Sequence, residues 1–173
     1  MAYVILLALA GGLFAILTFI HFVVDWIFQT HAEAMAKHNN AKVRARHCAI
    51  YTAGFLPLLL TFVWVGALTH LEFLISILIL FVSHFVEDTY IPVYLWAKWI
   101  RRPPQMTKLR DVPVGTTDAG ETIYEEGPDP KVGFVEFIDT TLGKILMIAV
   151  DQIIHLAFLL PIVWLVLRHL FNK

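Results

Sequence analysis

Histidine and aspartate recur in this sequence at a spacing of four residues. Three such pairs occur: His21 with Asp25, His84 with Asp88, and Asp151 with His155. On an α-helix, residues four apart lie on one face, one turn above the other. Two ligands on adjacent turns can bind one metal ion, and imidazole with carboxylate suits Zn, Mn or Fe. The spacing therefore predicts a divalent-metal site carried by helices.

The pairs lie in an unusually apolar chain. Hydrophobic residues make up 58% and charged residues 16%, with a mean hydropathy of +0.71. Soluble domains have about 45–50% apolar residues and about 25% charged residues. Four segments are apolar and long enough to cross a bilayer; they are residues 3–28, 47–68, 71–96 and 145–167. We predict an all-α integral membrane bundle of four transmembrane helices, forming a single domain over residues 1–173.

Two polar regions interrupt the apolar segments. Helix-forming residues between Thr30 and Lys37 predict a short interfacial helix after the first span, which Asn39 and Asn40 would end. The proline-rich stretch 101–133 is an insertion before the last span. The run 111–124, with Thr117-Asp118-Ala119-Gly120 near its middle, is compatible with a small hairpin. An ordered lid and a flexible loop are both open for the insertion, and we favour the flexible loop.

The basic residues are unevenly distributed between the loops. Ten of the thirteen Lys and Arg residues lie in the first and third loops, and the second loop has none. Because basic loops stay in the cytoplasm, we expect both of these loops there and both termini outside. The His and Asp pairs then fall in the cytoplasmic third of the bilayer.

Ionisable groups inside membrane spans are costly and usually functional. The candidate metal ligands are His21, Asp25, His47, His84, Asp88, Asp151 and His155. They exceed the four ligands of a mononuclear zinc site, so either some orient the others or there are two ions. We predict one or two divalent ions, with zinc preferred.

Other polar residues suggest roles in catalysis or substrate binding. His47 is a candidate ligand or acid–base group, and Glu87 a candidate general base. Weaker candidates for substrate contact are Gln29, one turn beyond Asp25, Lys37, which suits a phosphate headgroup, and Tyr51, one turn beyond His47. Helix capping, interfacial solvation and helix packing explain these three equally well.

Composition also excludes several classes of function. The single cysteine, Cys48, allows neither an internal disulfide nor a cysteine-based zinc motif. A net charge of −1 gives no basic face for nucleic acid. The expected partners are the lipid bilayer and a lipid or lipid-linked substrate, and a homo-oligomer is compatible with the sequence.

The motifs resemble a small family. The chain is similar to an integral-membrane family of bacteria and phages catalogued as a domain of unknown function. The residues that carry the similarity are His21-Phe-Val-Val-Asp25-Trp-Ile-Phe-Gln29, then Lys37, His47 with Tyr51, and Ser83-His84-Phe-Val-Glu-Asp88. The resemblance covers about Phe14 to Tyr90, and Asp151-Gln152-x-x-His155 resembles the family's final helix. The chain also resembles, more loosely, membrane-bound metal-dependent hydrolases with His and Asp ligands on their helices. The resemblance implies the inner membrane of a bacterium and favours a metal site, whereas the insertion 101–133 departs from the pattern.

Three functions remain open from the sequence. The leading hypothesis is a membrane-embedded, divalent-metal-dependent hydrolase acting near the cytoplasmic leaflet on a lipid, lipid-linked or membrane-proximal substrate. The second is a non-enzymatic membrane protein with a structural metal or ion-pair cluster, since buried His and Asp can also simply pair between helices; a role in phage–host interaction is one form of this hypothesis. The third is a proton- or ion-coupled carrier.

Overall fold

The first apolar segment forms one long helix whose winding changes near its end. In the computed structural model, which describes residues 2–117 and 120–171, α1 spans Ala2–Phe22 and continues as a π-helical turn, Val23–Ile27. This turn contains Asp25. Single π-helical turns inside α-helices are rare and occur frequently at functional sites.

The polar segment after α1 forms a short helix and the start of the next long one. Helix α2 spans His31–Ala36 and begins with a capping box between Thr30 and Glu33, which confirms the short helix expected there. Helix α3 spans Ala41–Trp64, beginning before the predicted residue 47 because the side chain of Asn40 accepts hydrogen bonds from the first turn.

The third apolar segment, predicted as one span over residues 71–96, is interrupted next to Pro92. Helix α4 spans His70–Glu87, and α5 spans Ile91–Trp96 before a π-helical turn, Ala97–Arg101. Tyr90 between them has a φ of 62°. Pro92 has no N–H to continue the ladder, and the carbonyl of Asp88 instead accepts a hydrogen bond from His38 Nδ1 at 2.8 Å.

The insertion contains a β-hairpin rather than the loop that we favoured. After the short helix α6, Pro104–Thr107, strands β1, Leu109–Thr116, and β2, Thr122–Pro128, pair antiparallel, with an irregularity between Pro113 and Gly115. Of the predicted turn residues, Asp118 and Ala119 lie outside the described part of the chain.

The chain from residue 130 to residue 171 forms three helices. Helix α7 spans Pro130–Asp139, α8 spans Thr141–Ala157 and α9 spans Leu160–Phe171. Asp129 caps α7 through its carboxylate. Pro161 lies in the first turn of α9, where proline is tolerated, but it would disrupt a continuous helix through this point.

Four helical segments are long and apolar enough to cross a membrane. They are Tyr3–Ile27, Ala41–Trp64, His70–Glu87 and Thr141–His169. Large apolar side chains on them are exposed, with Tyr3 at 82% and Trp64 at 86%. Such surfaces suit lipid better than water. The all-α fold with four candidate membrane spans is confirmed, with the hairpin as a small addition.

The chain forms two compact units. The first comprises Met1–Tyr90 and Gln152–Lys173, and the second comprises Ile91–Asp151. The first unit has an apolar core that includes Leu17, Phe55 and Leu80. The second unit is built around its own smaller core, in which Val93, Ala97, Met106, Phe134 and Phe137 are buried.

Candidate metal centre

Four of the predicted ligands come together in the first unit. Asp25 comes from the π-helical turn, His47 from the second turn of α3, His84 from the last turn of α4, and Asp88 from the residue that ends α4. All four side chains are at most 3% exposed. Three separate segments therefore bring these groups to one buried position.

The contacts converge on two imidazole nitrogens. His47 Nε2 and His84 Nε2 lie 2.9 Å apart. Asp25 Oδ1 lies 3.0 Å from the first nitrogen and 3.4 Å from the second. Asp88 Oδ2 lies 3.6 Å and 3.5 Å from the same two nitrogens. Within the described residues, this oxygen is buried without a hydrogen-bond partner.

These separations fit the ligand shell of a small divalent ion. Four ligands at zinc bond lengths in a tetrahedron lie about 3.3 Å from one another. Five of the six separations among the four atoms range from 2.9 to 3.6 Å. A neutral imidazole nitrogen has either one N–H or one lone pair, so direct hydrogen bonds cannot satisfy all these contacts together. A shared cation can.

A lysine ammonium lies beside the same four atoms. Lys37 Nζ is 2.8 Å from Asp88 Oδ1, 3.5 Å from Asp25 Oδ1 and 3.4 Å from His47 Nε2. Lys37 is only 7% exposed, and the guanidinium of Arg44 donates to its backbone carbonyl at 3.0 Å. Lys37, at the end of α2, is thereby held with its ammonium directed at both aspartates.

His38, the residue after Lys37, lies outside the apolar spans. Its ring stacks on Tyr90, with centroids 3.4 Å apart, and its Nδ1–H donates to the Asp88 carbonyl. Burial lowers the pKa of His38 from its ordinary value, although the hydrogen bond to Asp88 acts in the opposite direction. His38 therefore braces the backbone that carries one aspartate.

A second group of candidate ligands adjoins the first and shares His84. Its members are His84, Glu87 and His155, all buried, each offering one atom within 4.8 Å of the other two. His155 Nε2 lies 3.2 Å from Glu87 Oε2. The Nδ1 atom of His84 is buried without a hydrogen-bond partner among the described residues. Its two nitrogens thus have different surroundings.

His21 lies next to both groups but makes other contacts. Its Nε2–H donates to Gln152 Oε1 at 2.9 Å, and its Nδ1 accepts from the Tyr51 hydroxyl at 3.0 Å. The Tyr51 ring in turn stacks on His84, with centroids 3.8 Å apart. In this arrangement His21 orients Tyr51, and its role as a metal ligand stays a prediction.

The remaining predicted residues lie elsewhere. Gln29 lines a pocket of about 320 Å³ with Trp26 and His31, and its Oε1 is buried without a partner among the described residues. Asp151, half-buried on α8, belongs to neither group of convergent ligand atoms in the described chain. Their roles in substrate and metal binding stay predictions.

Comparison with known families identifies where this chain belongs. The sequence model of a family described as "Protein of unknown function (DUF3307)" matches residues 13–107. The chain belongs to this family. The matched segment contains Asp25, Lys37, His47, His84 and Asp88. No curated protein and no solved structure matched the chain.

One polar contact was missed from the sequence. Lys37 was a weak candidate for contact with a headgroup, and the structure buries it against both aspartates. Gln152 was predicted to join helices, and it accepts a hydrogen bond from His21 of α1. Spacing within one helix gives no information about a partner on another, so only the charge of Lys37 was a usable signal.

Proposed function

We propose that the protein is a membrane-embedded hydrolase that uses one or two divalent metal ions, with zinc preferred. The observation that carries the proposal is the convergence of His47 Nε2, His84 Nε2, Asp25 Oδ1 and Asp88 Oδ2. Two imidazoles and two carboxylates are ligands that zinc accepts. Asp88 Oδ2, which is buried and accepts no hydrogen bond among the described residues, would gain a partner if an ion were bound.

Charge balance supports a divalent ion. Asp25, Glu87 and Asp88 are buried carboxylates, and Lys37 is the buried ammonium beside them. With neutral histidines, three negative charges and one positive charge leave two negative charges. Uncompensated buried charge is very costly. One divalent cation would neutralise the cluster.

The second group supplies the parts that hydrolysis needs. A bound divalent ion would activate water and polarise a carbonyl or phosphoryl oxygen. Glu87, whose carboxylate lies 3.2 Å from His155 Nε2, is our candidate for the general base. Glu87 accepts the proton of water as the hydroxide attacks the substrate. The ester bond then breaks, and the leaving oxygen takes the proton back.

The apolar setting favours a lipid or lipid-linked substrate. The ligand-bearing ends of α1, α3 and α4 are the ends next to the basic first turns of α3, which contain Lys42, Arg44 and Arg46. By the positive-inside rule this end faces the cytoplasm, in a bacterium the cytoplasmic side of the inner membrane. Gln29 and its pocket, and Tyr51 beside His84, are our candidates for substrate contact.

Metal analysis of the purified protein tests the proposal. We expect one or two equivalents of a divalent metal in the wild type and none in Asp25→Asn, which keeps the side-chain volume. The matched control is Glu72→Gln, which changes another buried carboxylate of the same unit and should keep the metal. Absence of metal from wild-type protein reconstituted with zinc would refute the metal site, and metal without chelator-sensitive hydrolysis of lipid esters would refute the hydrolase.

One observation favours a second candidate, a structural ion-pair cluster without metal. Lys37 Nζ already contacts both aspartates, and an ammonium is itself a cation. Lys37→Met separates the two readings. If a metal binds, removing the competing ammonium should raise zinc affinity. If Lys37 is the only cation, the variant should unfold more easily, and added zinc should not restore it.

A further inference from the structure

A pocket in the second unit has the composition of an anion site. It has a volume of about 420 Å³ and is lined on one side by Lys98, Trp99 and Arg102, at the π-helical turn. Met106 and Thr107 of α6 line the other side. The pocket thus combines two cationic side chains, an aromatic ring and a hydroxyl. It lies wholly within residues 91–151.

Both cations are available for an anion. The Lys98 ammonium rests over the rings of Trp99 and Tyr94, at 5.2 and 6.0 Å from their centroids. Arg102 donates from Nε to the Trp99 carbonyl at 3.1 Å. Within residues 2–117 and 120–171, neither side chain has a carboxylate partner. The terminal nitrogens of Arg102 remain in place to donate to a ligand, as guanidinium does to phosphate.

The backbone fixes this arrangement. Arg102 has a φ of 46°, a left-handed conformation that is uncommon for a residue other than glycine. Its own N–H donates to the Ala97 carbonyl at 2.7 Å and closes the π-helical turn. Strained residues of this kind are concentrated at ligand sites. Asp129, between the lining residues Pro128 and Pro130, caps α7 through its carboxylate.

The surroundings of the pocket point to a lipid as the source of the anion. Leu95, Trp99 and Ile100 are 45%, 61% and 74% exposed, which suits acyl chains and the interfacial aromatic belt. Basic pockets at the cytoplasmic surface of membrane helices bind anionic lipid headgroups. A phosphate in the pocket would leave its acyl chains beside these exposed side chains.

We propose that the Lys98–Arg102 pocket binds the phosphate of an anionic phospholipid headgroup. The site is independent of the proposed metal centre and shares no residue with it. Phosphate would accept from the Arg102 guanidinium and pair with the Lys98 ammonium. The exposed ring of Trp99 would pack against the glycerol or the upper acyl chain.

Native mass spectrometry of the full-length protein with phosphatidylglycerol or phosphatidylcholine tests this site. We expect wild-type protein to retain phosphatidylglycerol about tenfold more strongly than Lys98→Gln/Arg102→Gln does. The matched control, Lys108→Gln/Lys131→Gln, removes the same charge from exposed residues of the same unit and should behave like wild type. Because Arg102 lies in a strained turn, Lys98→Gln alone serves as the second variant and should lose part of the preference.

The other outcomes overturn the proposal. An equal loss in the control variant would mean that binding is nonspecific attraction to the charged unit. Displacement of the lipid by millimolar inorganic phosphate would mean that the site takes free phosphate instead. Unchanged retention by Lys98→Gln in a protein that unfolds at the wild-type temperature would exclude the pocket.

Discussion

The two ends of the first unit each bury a carboxylate among basic groups, but they treat it differently. At one end, Glu72 accepts hydrogen bonds from the backbone N–H and hydroxyl of Thr69, and also contacts Arg168 and His169. Both of its oxygens have partners. At the other end, Asp88 Oδ2 has no hydrogen-bond partner among the described residues, and the two imidazole nitrogens near it lie 2.9 Å apart.

The difference separates a fully paired carboxylate from a candidate metal centre. Glu72 ties α4 to α9 and begins α4 with a capping box, so nothing further is needed to stabilise it. Around Asp25 and Asp88 several groups converge on two ring nitrogens, and Asp88 Oδ2 accepts no hydrogen bond among the described residues. Buried polar groups nearly always have hydrogen-bond partners, so this convergence is the better candidate for holding a metal ion. Residue type alone would not have distinguished the two ends.

The largest effect should come from His47→Ala. Removing one of the four convergent ligands should lower zinc affinity by more than about 100-fold, because loss of a group that only orients a ligand already costs about 10–100-fold. A competition titration with a chromophoric zinc chelator measures this. Thr52→Ala, a change one to two turns further along α3, serves as control. Equal affinity in His47→Ala and wild type would place the ion elsewhere.

Glu72→Gln should show the opposite behaviour. It breaks the contacts with Arg168 and His169 and should reduce the free energy of unfolding by about 1–2 kcal/mol, since the basic partners are partly exposed. Thermal unfolding in detergent measures the change. The reduction should be the same with and without zinc, whereas a zinc-dependent difference would connect the two ends.

Gly54→Ala should perturb the metal end through packing. A Cβ at Gly54 would overlap the methyl groups of Val24, next to Asp25 in the π-helical turn. We expect a loss of about 1 kcal/mol or more in unfolding free energy and weaker zinc binding. Gly12→Ala, where a Cβ meets open space, should be neutral or slightly stabilising. Similar behaviour of both variants would argue against the close approach.

The smallest effect concerns pH. Since burial lowers the pKa of His38 below its unfolded value of 6.5, the unfolded chain binds more protons in this range. The contribution of His38 to stability is therefore complete above pH 6.5 and is lost as the pH falls below it. Unfolding temperatures at pH 8 and pH 5.5 should differ less in His38→Asn than in wild type. An unchanged difference would exclude His38 as the cause.

Much of the fold follows from apolar length, because only a helix satisfies its backbone within lipid. The breaks do not follow from it. The end of α4 at Glu87 coincides with Pro92 and with a hydrogen bond from His38 to the Asp88 carbonyl, and only the proline is visible in the local sequence. The hairpin 109–128 lies where the sequence allowed a small hairpin, although we favoured a flexible loop for the insertion.

The candidate site was predicted only in part, because spacing along one helix does not determine contacts between helices. The spacing of His84 and Asp88 correctly placed both on one helical face, and the depth of His47 brought it to them. The face toward which a helix turns depends on packing between helices. The local pattern therefore did not predict that His21 contacts Gln152 and Tyr51 or that Lys37 contacts the aspartates.

His84 belongs to both groups of candidate ligands, with Asp25 and His47 on one side and Glu87 and His155 on the other. One ring that contacts both groups couples them energetically. Substitutions at Asp25 and His155 should consequently be non-additive, and a double-mutant cycle between these residues would measure that coupling directly. The centre would then respond as one cooperative unit, although its residues come from widely separated parts of the chain.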